Sequence, residues 1–146
     1  MKRRKTVKTK KDLQDNSIAD FLYEAGILAK TPRSWTSFLG SGQQSIAEHL
    51  NRVAFIAYAL AKMEGGVDVG RILAMSLFHD FHEARVSDLN YVHQKYVEVD
   101  EERAIEDFIS HLPFSRDIKD ILDEYHERKS KESLIVKDAD NLEFIL

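Results

Sequence analysis

Residues 71–78, RILAMSLF, form the most apolar helix-length stretch of the chain and run without a break into HDFHEARVSD at 79–88. A segment of that character has to be buried, and burying it carries the ionisable groups at its end towards the interior as well. Two prolines and six glycines in 146 residues leave little material for a turn-rich β fold. That length suits one domain with a real core. The expectation is a single-domain, all-α bundle that receives a knot of imidazoles and carboxylates in its interior.

The other segments carry helical periodicity too. Residues 17–29 place Ile18, Phe21, Leu22, Ala25 and Leu28 on one side of a helix. Residues 30–44, KTPRSWTSFLGSGQQ, read as a loop punctuated by Pro32, Gly40 and Gly42. Ser45 and Glu48 stand at capping-box spacing ahead of a long apolar stripe, which Gly65 and Gly66 end. Two amphipathic helices follow on either side of Pro113, and KESLIVKDADNLEFIL forms the last one. No segment alternates as a strand would.

Polar residues placed on these helices converge. His49 shares its stripe with Val53, Ile56 and Leu60, at offsets of four, seven and eleven. Asp140 lies four residues from both Val136 and Phe144, which points it inward. His79 and Asp80 end the apolar helix. Taken singly, an inward His is most often a hydrogen-bonded core residue and an Asp near a helix end is most often a cap. Taken jointly, two imidazoles and two carboxylates in one interior are also a donor set for a divalent cation.

Charge and composition exclude several classes. The chain has no cysteine, which rules out disulfides and thiolate chemistry and suits the cytoplasm. No apolar run approaches the ~18 residues of a membrane helix, so no membrane partner is expected. Seven of the first eleven residues are Lys or Arg, yet 14 basic residues face 25 acidic ones over the remainder. Residues 1–12 therefore read as a flexible basic tail on an acidic body covering 13–146, which argues against a nucleic-acid partner.

The strings SIAEH, FHDFHEARVSDL and VKDADNLEFIL together resemble the H…HD…D signature of the HD-domain metal-dependent phosphohydrolases, with HDFHE closest to the 5′-deoxynucleotidase-like subgroup. The resemblance spans about residues 17 to 146. It implies a helical HD-domain bundle with the metal in its interior, held by His49, His79, Asp80 and Asp140. It also implies a proton-transfer role for Glu83 alongside Asp80, and substrate contacts from Arg33, Trp35 and Asp88. Without it, Glu83 reads as a surface helix residue and Trp35 as a loop anchor. Ser87 stands where the family usually carries Gly. The family usually continues for about another helix after its last motif, so a C-terminal helix is expected beyond Leu146.

The chemistry implied is removal of the 5′-phosphate from nucleoside, above all deoxynucleoside, monophosphates. A divalent transition metal (Mn, Co, Fe, Ni or Zn, in preference to Mg) would acidify a bound water, and Arg33 would grip the phosphate. His82 receives no firm role. The alternatives are HD-type hydrolysis of another phosphate ester or cyclic nucleotide, and a non-catalytic metal- or nucleotide-binding module. Apolar groups on the later helices, with family habit, imply a homodimer.

Overall fold

The computed structural model describes residues 10–39 and 42–146, with side chains described outside 10–16 and 39. Among the described residues the chain forms eight α-helices: α1 (Lys10–Ile27), α2 (Thr36–Leu39), α3 (Ile46–Glu64), α4 (Val69–Phe78), α5 (Glu83–Val86), α6 (Glu101–Ile109), α7 (Ser115–Glu127) and α8 (Lys131–Ile145). A 3-10 turn, His93–Lys95, interrupts the long connection after α5. Among the described residues the β-like structure is limited to an isolated bridge between Pro32 and Ser45. The expected all-α architecture is what the chain adopts.

Helices α3, α4 and α8 pack mutually at the centre, and α7 closes over α4 and α8. One core cluster joins Val53, Ala57 and Ala61 of α3 to Ile72, Met75, Ile121, Tyr125, Val136 and Ala139. Small side chains on the inner face of α3 let its neighbours approach closely. A second cluster gathers Leu28, Ile46, Leu50 and Phe81 around Phe108 with Ile109, Leu112, Ile118 and Leu122. Along the chain, His49 lies between Val53 of one cluster and Ile46 of the other, and His79 lies between Met75 and Phe81. The polar residues therefore enter where the two apolar clusters meet.

Caps fix where the central helices begin. The Ser45 hydroxyl accepts from Glu48 N at 3.2 Å while the Glu48 carboxylate accepts from Ser45 N at 2.7 Å, completing the expected capping box. Asp68 and Ser130 cap α4 and α8 by the one-way bond alone, accepting from Arg71 N and Ser133 N, and each such cap is worth about 1 kcal/mol. Gly65 and Gly66 end α3 with φ of 68° and 66°, a conformation that suits glycine.

Some expectations need correction. Helix α1 begins at Lys10, inside the stretch read as a basic tail, because nothing between Lys10 and Ile18 breaks a helix. The remainder of that tail, residues 1–9, lies outside the described residues. Leu22 is 62% exposed, since the buried stripe of α1 runs through Ile18, Phe21 and Ala25 and leaves its neighbour outside. Phe144 is likewise 58% exposed, and Glu143, 3% exposed, takes the inward position instead. Among the described residues no helix is long and apolar enough to cross a membrane.

Two irregular segments complete the framework. The loop after α1 folds back on the start of α3: Ala47 N donates to Leu28 O, Ile46 N to Thr31 O at 2.9 Å, and Arg33 N to Gln44 O at 2.8 Å. After α5, Ser87 adopts φ 64° and ψ 159°, a region that residues other than glycine rarely enter. The strain explains why glycine suits this position.

Candidate metal centre

His49 projects from the first turns of α3, His79 caps α4, Asp80 follows it in the next turn, and Asp140 lies two turns along α8. Potential ligand atoms of His49, His79 and Asp140 all lie within 4.8 Å of one another. Asp80 Oδ2 stands 3.5 Å from Nε2 of both histidines, and Asp140 Oδ1 stands 3.4 Å from His49 Nε2 and 4.0 Å from His79 Nε2. The four residues that the sequence singled out as candidate ligands thus meet at one point.

Their hydrogen bonding supports a cation there. Both Nε2 atoms are fully buried and make no hydrogen bond, a costly condition for a polar atom unless something else binds it. The second nitrogen of each ring is occupied: His79 Nδ1 lies 3.1 Å from Ser76 O, and His49 Nδ1 lies 2.7 Å from Glu143 Oε2. Asp140 keeps Oδ1 towards the histidines because Lys137 Nζ donates to Oδ2 at 2.8 Å. Two imidazole nitrogens and two carboxylates suit a divalent transition metal.

Electrostatics describe the same cluster. Burial disfavours a charge on His49, but Asp140, Asp80 and Glu143 outweigh it and hold the ring up to about 9. A cation on Nε2 would take the place of that proton. His79 is driven down chiefly by its burial. Burial would raise both carboxylic acids, yet His79, His49 and Arg33 hold Asp80 far below its ordinary value, and His49 and Lys137 hold Asp140 down to about 2.

A second group borders the cluster. Arg33 Nη1 lies 3.3 Å from Asp80 Oδ2 and 3.6 Å from Asp88 Oδ2, and Asp88 also accepts from Ser34 N at 2.9 Å. Glu83 begins α5 with Oε2 buried and unpartnered. Burial first, then the charges of Asp80 and Asp88, push its carboxyl up to about 9, with Arg33 opposing. Glu83 is therefore a partly buried acid with one oxygen enclosed, and not the surface helix residue that its sequence context alone suggests. Together with His82, Asp88 and Gln94 it lines a cavity of about 180 Å³.

Two sequence candidates lie elsewhere. Trp35 packs edge-on against Phe144, with ring centroids 5.6 Å apart, and lines a cavity of about 470 Å³ with Gln44, Arg52 and Glu143. His82 is buried and sits 3.9 Å from Glu101, outside the cluster. Glu143 is the participant that sequence reasoning missed. Its signal was its position three residues after Asp140, on the same face of α8, but the apolar Phe144 drew the reading one residue further.

Comparison with known proteins agrees with the geometry. A 5′-deoxynucleotidase of Dictyostelium discoideum is 31% identical over 70% of this chain and 60% of its own length. A 5′-deoxynucleotidase of Enterobacter is 30% identical over 74% of this chain and 61% of its own. The chain thus spans about three fifths of the length of these curated relatives. The solved structure of a conserved hypothetical protein from Pyrococcus furiosus superposes with a TM-score of 0.75 at 31% identity, covering 87% of this chain and 74% of that one. The family model for the HD domain matches residues 25–146, which take in the whole His49, His79, Asp80 and Asp140 cluster, and the chain belongs to the HD domain family.

Proposed function

We propose that the chain is a metal-dependent phosphohydrolase that releases the 5′-phosphate of deoxynucleoside monophosphates. The observation that carries the reading is the convergence of His49, His79, Asp80 and Asp140 with both buried Nε2 atoms unpartnered. Family membership and the 5′-deoxynucleotidase relatives support the choice of substrate. The four residues are assigned as ligands of one divalent ion, with Mn, Co, Fe, Ni or Zn preferred to Mg. Such an ion, when bound, supplies Lewis acidity at a phosphoryl oxygen and lowers the pKa of water.

The remaining roles fall to the chain's own groups. Arg33, beside Asp80 and with Nε unpartnered, can offer two parallel N–H bonds to phosphate oxygens. Glu83, a partly buried acid whose Oε2 is enclosed, gives its proton to the 5′ oxygen as the P–O bond breaks. Asp88, held by Ser34 N, accepts a bond from the sugar. Trp35 lends its ring to the base from the neighbouring cavity.

A cytoplasmic location and a homodimer complete the reading. The first rests on the absence of cysteine. The second rests on the exposed Phe55, Tyr58 and Met63 of α3, and light scattering that showed only monomer would reject it.

The deciding experiment is a phosphate-release screen of deoxynucleotides, ribonucleotides, cyclic nucleotides and triphosphates against those metals. Turnover of 5′-deoxynucleotides with a transition metal is expected. Preference for a cyclic or triphosphate substrate would move the chain to another HD-type activity, and no turnover with any pair would leave a binding module.

A further inference from the structure

We propose that Glu143 is a positioning residue that fixes the proton of His49 on Nδ1 and ties the metal centre to the loop carrying Arg33. The inference rests on the assignment of His49 as a ligand. An imidazole binds a metal only through a nitrogen that carries no proton, so a buried ring needs something to choose which nitrogen that is. In His79 the backbone makes the choice: Ser76 O can only accept, so Nδ1 bears the hydrogen and Nε2 is left for the cluster. His49 has no carbonyl in that place. Its Nδ1 meets the Glu143 carboxylate at 2.7 Å, and an acceptor there sets the same tautomer.

Glu143 is itself held. Gln44 Nε2 donates to Oε1 at 2.6 Å, and Arg52 Nη1 lies 3.2 Å from the same oxygen. Both of these groups, like His49 Nδ1, meet the buried carboxylate as N–H donors, which is what offsets its desolvation. Gln44 also accepts Arg33 N through its backbone carbonyl at 2.8 Å. One residue of the loop thus touches both the support of His49 and the residue beside Asp80. Helix α8 supplies Asp140 to the cluster and, one turn later, the group that aims its neighbour.

Glu143→Gln tests this directly. The new amide either presents an N–H to the donors Gln44 and Arg52, or turns it on His49 Nδ1 and drives the ring proton to Nε2, where the metal belongs. Affinity for Mn²⁺, measured by calorimetry, should fall by about 10–100-fold, the usual loss when a group supporting a metal ligand is removed. Adding Gln44→Glu gives the introduced amide an acceptor to donate to and turns its carbonyl back to Nδ1–H, so the double variant should recover most of the affinity. In zinc-loaded wild type, ¹⁵N spectra of the histidines should show His49 protonated at Nδ1. A folded Glu143→Gln protein with unchanged Mn²⁺ affinity overturns the proposal, as does a double variant that recovers nothing. A wild-type His49 without a proton on Nδ1 overturns it too, and that spectrum decides alone should the variants fail to fold. None of these measurements uses turnover. A protein that passes them yet hydrolyses no phosphate ester rejects the proposed activity and leaves the role of Glu143 standing.

Discussion

The inner and outer halves of the site are built differently. The inner half, His49, His79, Asp80 and Asp140, hangs on α3, the end of α4 and α8, the long helices that pack mutually at the centre. The outer half, Arg33, Glu83 and Asp88, hangs on a loop, a four-residue helix and a strained turn, and is held by single bonds such as Ser34 N to Asp88. Packed helices define positions through many weak contacts, whereas the outer groups depend on one another. Changes to the inner half should therefore abolish function outright, and changes to the outer half should divide it.

The largest effect is expected from His79→Ala. Removing one of two buried nitrogen donors should leave the protein without bound metal after dialysis, by elemental analysis, and without phosphate release. A variant that kept both would break the comparison at its root.

Next comes Glu83→Gln, which should retain the metal but lower kcat on a deoxynucleotide by about 10²–10⁴-fold, as for a lost general acid. A nitrophenyl phosphate, whose leaving group needs little protonation, should be affected far less. Equal losses on both substrates would assign Glu83 a structural or metal-orienting role, and would erase the distinction between halves.

Arg33→Ala should act mainly on KM. A charge-assisted hydrogen bond contributes about 1.5–3 kcal/mol, so KM should rise roughly 10–150-fold by the usual conversion, with metal content unchanged. Loss of metal in this variant would show that Arg33 supports Asp80 more than it serves the substrate.

The smallest effect is expected at Ser87. Residues held in such backbone regions carry about 1–3 kcal/mol of strain, part of which glycine returns through the freedom of its unfolded chain. Ser87→Gly should raise Tm by about 2–4 °C in a domain of this size, as calorimetry can measure. A lower Tm would mean that the Ser87 side chain stabilises the turn by more than the strain costs.

The same division decides what could be read in advance. His49 and Asp140 were legible because a period of 3.6 assigns a face to every residue of a long helix, and His79 because an apolar helix points at it. The all-α fold was legible for the same reason. Arg33 and Asp88 have no such frame: residues 30–44 and 87–100 lack periodicity, and only resemblance to a family singled them out. Glu143 was hidden by hydropathy, which favours Phe144 on the inner face. A buried carboxylate becomes intelligible only once its donors, Gln44 and Arg52, are seen from another part of the chain. Leu22 failed similarly, because a stripe one residue too wide looks the same in sequence as one that fits.

His49 and Asp140 stand far apart in the chain, and the bond from His49 to Glu143 spans 94 positions. A cation shared by α3 and α8 is in effect a removable cross-link, closing a loop that holds most of the domain. Closure of so long a loop is entropically unfavourable in an unfolded chain, so the donor set is complete only after α8 has docked. Metal uptake would then report the docking of α8 on α3, and a chelator would loosen that joint, with the core cluster in which Val136 and Ala139 meet Val53, Ala57 and Ala61, before it touched the cluster around Phe108.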